Sequence, residues 1–378
     1  MVNQSFNSSL NFSAGPSGLP DRVVNEIRKE LKKSNSIIEI SHRSKEFDDL
    51  LNHTKDLLRF FMGIPGNYEI LFMHGGATAQ FAAVPYNLWY NESQIQSGGW
   101  TNRDDLGKGA YAISGLFSTK AYQEAMKFSH PYQVATSLKD GYTTISEIFP
   151  DDLSPETSYV HICYNNTVYG TQYQKTPEVY QMIPLVADMS SCICTDTFEV
   201  SDFGVIYAGA QKNLGVAGMG VVIVRRDLLN RFAQATPSVL NWTLTADKNS
   251  MNNTPPCFNI FVLNKVLQNL VYEFNDLEEV SKYNHEKSKI LYDVIDNSKI
   301  FKGIADPDFR STTNVTFTTG NPDLDAEFIK HAGYRDVIGI KGHRSVSGMR
   351  ASLYNSVPKE SVVKLVEIMK EFERSCSL

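Results

Sequence analysis

The feature that most constrains how this chain can fold is a series of short, continuous apolar runs: YEILFM at 68–73, YVHIC at 159–163, IPLVA at 183–187, VIYA at 205–208 and GVVIV at 220–224. None alternates between polar and apolar residues, so each needs cover on both faces, and the intervening stretches carry helix-forming residues. A mostly parallel sheet between helices meets both conditions. Residues 20–272 are therefore read as a large α/β domain, a mainly parallel sheet with helices on both faces. From residue 271 the pattern changes. YEFNDLEEVSKYNHEKSKILYDVID reads as one amphipathic surface helix, VTFTT (315–319) as a strand and KESVVKLVEIMKEFERS as a closing helix. The N-terminal NFSAGPSGLP (11–20) reads as extended, because Pro16 and Pro20 bias the preceding residues away from helix. Residues 1–19 and 273–378 are expected to pack together as a smaller α+β domain.

A chain of 378 residues is long enough for such a division. Its formal net charge of −6 argues against nucleic acid as the main partner, so any anion site must be local. No run of about 18 apolar residues suggests a membrane span, and the first residues lack the features of a signal peptide. Five scattered cysteines fit neither a zinc site nor a disulfide framework, which points to a reducing, cytoplasmic setting. No metal site is expected. Cys192 and Cys194 are read as core or strand residues.

Open α/β sheets bind ligands where strands end at their carboxyl edge. Gly75-Gly76-Ala77-Thr78 follows one such end and leads into a helix, whose free N–H groups and dipole suit a phosphate, although most Gly-Gly pairs are simply turns. Asp188 follows IPLVA, where it could face a ligand or cap a helix. Thr167 carries the same ambiguity after YVHIC. Lys212 lies in IYAGAQKNL (206–214), a setting of small residues that a solvating surface lysine does not require. A phosphate cradle, a carboxylate and a lysine at neighbouring strand ends together suit pyridoxal 5′-phosphate, which needs an anion site, an acidic partner for its ring nitrogen and an amine for its aldehyde.

NFSAGPSGLP, SHRSKEF, HGGATAQFAAVPYNL, YAGAQKNLG, NNTPP and GHRSVSGMRASLYN occur in this order along the chain. Together they resemble the phosphoserine aminotransferases, fold-type I pyridoxal-phosphate enzymes of the class V aminotransferase group. The resemblance runs over nearly the whole length. It implies reversible transfer of an amino group between L-glutamate and 3-phosphohydroxypyruvate, giving O-phospho-L-serine and 2-oxoglutarate in serine biosynthesis. It leaves open whether 4-phosphohydroxy-L-threonine is also accepted.

The resemblance also implies roles. Lys212 would carry the cofactor and Asp188 would face its ring nitrogen, with Thr167 on the same side. Gly76, Ala77 and Gln211 would bind its phosphate, and Phe117 would stack on its ring where the family usually has tryptophan. Asn253 and Thr254 would reach the phosphate from the partner subunit of a homodimer, so that the active sites lie at the interface. Arg350 would clamp the substrate α-carboxylate, while His42, Arg43, His343 and Arg344 would receive the distal phosphate or carboxylate. In isolation such His-Arg pairs are usually solvated.

Departures from the family are Thr78 in place of an arginine found in some bacterial members, Ala14 in place of serine, and Asn166 in place of glutamate. An insertion at 97–108, containing Trp100, has no assignable role and is read as a surface loop. Two other functions remain in view: a cysteine desulfurase on the same fold, against which Gln211 speaks because histidine usually precedes that lysine, and a non-catalytic cofactor-binding protein, against which the combination of Lys212, Asp188 and Arg350 speaks.

Overall fold

A computed structural model of the chain describes residues 10–90 and 107–376. Trp100 and nearly all of the 97–108 insertion lie outside the described residues. In chain order the strands are β1 (Leu10–Asn11), β2 (Tyr68–His74), β3 (Lys108–Ile113), β4 (Tyr132–Thr136), β5 (Thr157–Cys163), β6 (Asn165–Asn166), β7 (Thr171–Gln172), β8 (Leu185–Asp188), β9 (Val205–Gly209), β10 (Met219–Arg225), β11 (Lys302–Gly303), β12 (Asn314–Thr318), β13 (Val337–Ile338) and β14 (Met349–Ser352). The α-helices, labelled here over the described residues, are α1 (Asp21–Glu30), α2 (Lys45–Met62), α3 (Gly76–Asn87), α4 (Leu116–Ala125), α5 (Trp242–Asp247), α6 (Cys257–Glu273), α7 (Leu277–Asn297), α8 (Pro322–Gly333) and α9 (Lys359–Cys376).

The central sheet has seven strands in the order β2-β10-β9-β8-β5-β3-β4. All five apolar runs lie in it. β10 runs antiparallel to both its neighbours, β2 and β9, while the pairs from β9 through to β4 are parallel. The reading from sequence left out β3 and β4. KGAYAI is rich in glycine and alanine, which have little β preference, and β4 is an edge strand of half-exposed residues without a continuous apolar signal.

The sheet buries both faces. One packs on α1, α2 and α6 through Val23, Leu51, Leu58, Ile260 and Leu267; the other packs on α3, α4 and α5 through Phe81, Val84, Ala121 and Trp242. A second apolar core gathers Phe12 with Leu291, Val315, Phe317, Phe328, Ala351 and Phe372, around the three-stranded β11-β12-β14 sheet. β1 pairs with β13, which carries the N-terminal segment onto this second core.

The stretch read as one helix from 271 is two. The α6 helix ends at Glu273, and α7 starts with Asp276 as its N-cap: the Asp276 carboxylate accepts from Glu279 N at 2.9 Å, and Glu279 accepts from Asn275 N at 3.0 Å. The first bond satisfies an otherwise unpaired N–H of the helix start and the second ties down the residue before the cap, so the chain gains more by breaking there than by continuing.

Candidate active site

A cleft of about 360 Å³ opens at the carboxyl ends of β5, β8 and β9 and is closed by the β2–α3 turn. Gly76, Ala77, Phe117, Thr167, Asp188, Gln211 and Lys212 all line it. At its centre the Lys212 side chain is buried, with Nζ donating to Thr167 Oγ1 at 2.6 Å and lying 5.4 Å from the centre of the Phe117 ring. The turn that holds Lys212 is fastened from both ends of the chain. Ser17 donates through N to Gln211 O (2.9 Å) and through Oγ to Lys212 O (2.5 Å), and Asn355 N donates to Asn213 Oδ1 at 3.2 Å. Gly15, at φ +127°, passes so close that an added Cβ would sit 3.2 Å from Lys212 Cγ. Only glycine combines that backbone angle with that approach.

Asp188 ends β8 and is 5% exposed. Burial raises its pKa; the Ser190 hydroxyl and main-chain N–H oppose this, as do the charge of Lys212 and the Tyr207 hydroxyl. Ser190 donates to Asp188 Oδ1 through Oγ at 2.6 Å and N at 2.9 Å, and its Oγ accepts from Gly209 N at 3.0 Å. The carboxylate is thus held rigid at the cleft floor.

At the cleft wall, Gly75 adopts φ +87° and starts α3 without a side-chain cap. The leading N–H groups of α3, from Gly76, Ala77 and Thr78, have no place in the intrahelical ladder, and all three residues line the cleft, which makes this helix start a ready anion site. These features fit pyridoxal phosphate: an amine, a buried carboxylate, an aromatic ring and an uncapped helix start converge on one cavity of suitable size.

Beyond Thr167 lies a cluster of cations. Arg350, on β14, is buried; its Nη1 donates to Thr167 O at 3.4 Å and its Nε has no hydrogen-bond partner among the described residues. Burial lowers the pKa of Arg350. The His343 pKa is also held down, first by burial and then by the charges of Arg350, Arg344 and Lys120. Ser345 N donates to His343 Nδ1 at 3.2 Å, which leaves Nε2 to carry the proton of the neutral ring.

The other expected residues do not line this cleft within one chain: Arg350 meets it only through Thr167 O, and His343 and Arg344 lie outside its lining. His42 and Arg43 lie on the loop before α2, and Asn253 and Thr254 on the loop before α6; none lines the cavity. Thr254 O instead contacts His74 Nε2 at 3.0 Å. Conversely, the sequence reading missed Gly15, Ser190 and Lys120. Lys120 Nζ is 5.7 Å from the Phe117 ring on α4. Its spacing of three from Phe117 on one helix was the available signal.

The fold and cleft define a fold-type I pyridoxal-phosphate enzyme. The profile of the family described as aminotransferase class-V matches residues 9–365, and the chain belongs to that family. Within it the chain groups with the phosphoserine aminotransferases. A phosphoserine aminotransferase of Bacillus cereus is 42% identical over 367 residues, covering 96% of this chain and 98% of the relative. The solved phosphoserine aminotransferase of Bacillus circulans subsp. alkalophilus is 36% identical, with a TM-score of 0.89 over 97% of this chain and 99% of that one. The pyridoxal-phosphate-bound phosphoserine aminotransferase of Trichomonas vaginalis is 31% identical, with a TM-score of 0.85 over 96% and 99% of the two chains. This chain is accordingly an aminotransferase, and pyridoxal phosphate is the cofactor of its family. Among the described residues no helix is long and apolar enough to cross a membrane.

Proposed function

We propose that this enzyme transfers the amino group of O-phospho-L-serine to 2-oxoglutarate, reversibly giving 3-phosphohydroxypyruvate and L-glutamate, as a step of serine biosynthesis in the cytoplasm. The observation that carries the reading is Arg350, which bonds Thr167 as Lys212 does, together with the charges that, after burial, hold the His343 pKa down, those of Arg350, Arg344 and Lys120, all positive. A pocket of that sign suits substrates bearing two anionic groups, and arginine serves carboxylate and phosphate alike through its planar fork. Arg350, nearest to Thr167, is assigned to the α-carboxylate; His343 and Arg344 are assigned to the distal phosphate or carboxylate.

Pyridoxal phosphate, when bound, supplies an electron sink for the charge left at the substrate Cα. This chain's residues do the rest. Gly76, Ala77 and Gln211 would hold its phosphate, Phe117 would cover its ring, and Asp188 would keep a proton on the ring nitrogen. Lys212 Nζ, oriented by Thr167 Oγ1, is the base placed to take the proton from Cα and return one. We assign Asn253 and Thr254 to the cofactor phosphate of a partner subunit in a homodimer. His42 and Arg43 are assigned to a substrate site, with the subunit that receives them left to experiment. Residues 20–272 would then form the cofactor domain, and 1–19 with 273–378 the smaller one.

The test is a panel of amino donors followed by cofactor absorbance in single turnovers. Phosphoserine and glutamate should convert the cofactor, and unphosphorylated serine should not; conversion by serine at the phosphoserine rate would sink the assignment. 4-Phosphohydroxy-L-threonine is the further donor to include.

A further inference from the structure

Lys212 borders a second, much smaller cavity, where four segments of the chain meet: residues 18–20, the Lys212 turn at 212–215, α6 around Asn269, and the loop at 355–356. It leaves about 10 Å³ to the centre of a water-sized sphere, which is about the space one water molecule needs and too little for a larger ligand. Three of the lining residues each carry a buried polar atom with no hydrogen-bond partner among the described residues: Asn213 Nδ2, Asn269 Oδ1 and Ser356 Oγ. Asn213 and Asn269 are 4% and 3% exposed, so bulk solvent does not serve them. Twelve side-chain atoms of this kind occur among the described residues, and the gathering of three at one cavity marks it as a polar site.

The protein groups around the cavity are already committed elsewhere. Asn355 donates through N to Asn213 Oδ1 at 3.2 Å and through Nδ2 to Cys194 O at 2.7 Å, and its Oδ1 accepts from Asn284 Nδ2 at 2.9 Å. The first of these bonds also fixes which end of the Asn213 amide is the oxygen, so Nδ2 is the end left to donate. The carbonyls of Tyr354 and Val357, on either side of the loop, accept from Lys287 Nζ at 3.0 Å each. An N–H, a carbonyl oxygen and a hydroxyl left unpaired in the interior cost more than the ordering of one water. The donor set also chooses the ligand. Asn213 Nδ2 offers only protons, which excludes a metal or ammonium cation, and Asn269 Oδ1 offers only lone pairs, which excludes an anion. Water fits the space, accepts from the first and donates to the second, while Ser356 Oγ can take either part.

We propose that this cavity is the binding site of one internal water molecule, which accepts from Asn213 Nδ2, donates to Asn269 Oδ1 and bonds Ser356 Oγ. It ties the turn that carries Lys212 to α6 of the large core and to the loop between Leu353 and Val357 of the smaller one. The consequence falls on Lys212. Asn213 follows it directly, and the Asn213 amide is then held at both ends, by Asn355 N at Oδ1 and by the water at Nδ2. The main chain of Lys212 is held on its own account by the Ser17 hydroxyl. The water site is independent of the reaction proposed above and stands whichever amino donor the enzyme uses.

Crystals of the full-length holoenzyme, diffracting well enough to show ordered solvent, should hold one water within ordinary hydrogen-bond distance of all three atoms. No density at that place, or a cation there with the Asn213 amide reversed, would overturn the proposal without any variant. In solution, oxygen-17 magnetic relaxation dispersion counts long-lived internal waters. Asn269→Leu, close to asparagine in shape but without the acceptor, should lose one such water relative to wild type, and Ser356→Ala should shorten the residence time of the same molecule; unchanged dispersion in both variants would reject the site. The tie to Lys212 has its own readout. Amide hydrogen exchange over residues 211–215 should quicken about fivefold in Asn269→Leu, the factor carried by one net hydrogen bond. Unchanged exchange in that segment once the water is gone would refute the tie.

Discussion

Lys212 and Arg350 illustrate how single residues acquire chemistry from where their neighbours end. Among the described residues Lys212 Nζ has one hydrogen-bond partner, Thr167 Oγ1, and Arg350 Nη1 bonds the main chain of the same threonine. Thr167 thus joins Lys212 to Arg350. If Arg350 takes the α-carboxylate common to both donors, Arg350→Ala should slow the phosphoserine and glutamate half-reactions alike, by up to several kcal/mol for a desolvated bidentate pair. Arg344 is exposed, and the distal group proposed for it differs between the donors, phosphate carrying more charge than carboxylate. Arg344→Ala should therefore penalise phosphoserine more than glutamate. Single-turnover rates for the two donors check both statements; an unchanged donor ratio in Arg344→Ala would remove that residue from the distal site.

At the scale of elements, helix starts do two different jobs. The α3 helix begins without a side-chain cap, with its first N–H groups outside the helical ladder, whereas α7 is closed by Asp276. Asp276→Ala should destabilise the protein by about 1 kcal/mol, as a lost N-cap does, with donor KM unchanged. Denaturant midpoints and KM measured on the same preparations would show whether the cap is purely structural. Much of this level was legible. The five apolar runs, the Gly75–Gly76 turn and the Lys212 turn could be placed because each carries its own local signal. β3 and β4 could not, since a glycine- and alanine-rich strand and a half-exposed edge strand are shaped by the neighbours that pair with them.

For the whole molecule, the question is what ties the second core to the cleft. Lys287, on α7 and fully buried, donates to Leu353 O, Tyr354 O and Val357 O at 3.0–3.1 Å, fixing the loop whose Asn355 reaches Asn213. Burial pulls the Lys287 pKa down to about 7. Between that value and the unfolded value of about 10.4 the unfolded chain binds a proton that the folded one does not, so stability rises with pH through this group. Relative to Lys287→Met, the wild type should gain stability from pH 7 to 9.5. A flat or falling profile would mean that the three carbonyls keep the ammonium charged in the fold. The proposed dimer has its own test. Lys212→Ala and Asn253→Ala/Thr254→Ala chains should each be nearly inactive alone, while a hybrid dimer would hold one complete site. Random mixing makes half the dimers hybrids, so about a quarter of wild-type activity should return on mixing. No recovery would place both groups in one subunit's site.

By itself the sequence determined the apolar runs, the turns that interrupt them and the chemical types at strand ends, because these depend on residues close together in the chain. It thereby marked Lys212, Asp188 and Gly76 before any coordinates. Only the tertiary structure decided that Ser17, Ser190 and Asn355 secure that site, that Lys120 joins His343, and that Asn213, Asn269 and Ser356 line one cavity. The Ser17–Lys212 contact alone joins residues 195 positions apart. A hydroxyl or amide in a buried segment has no periodic signature, and its partner is set by sheet register and chain crossing.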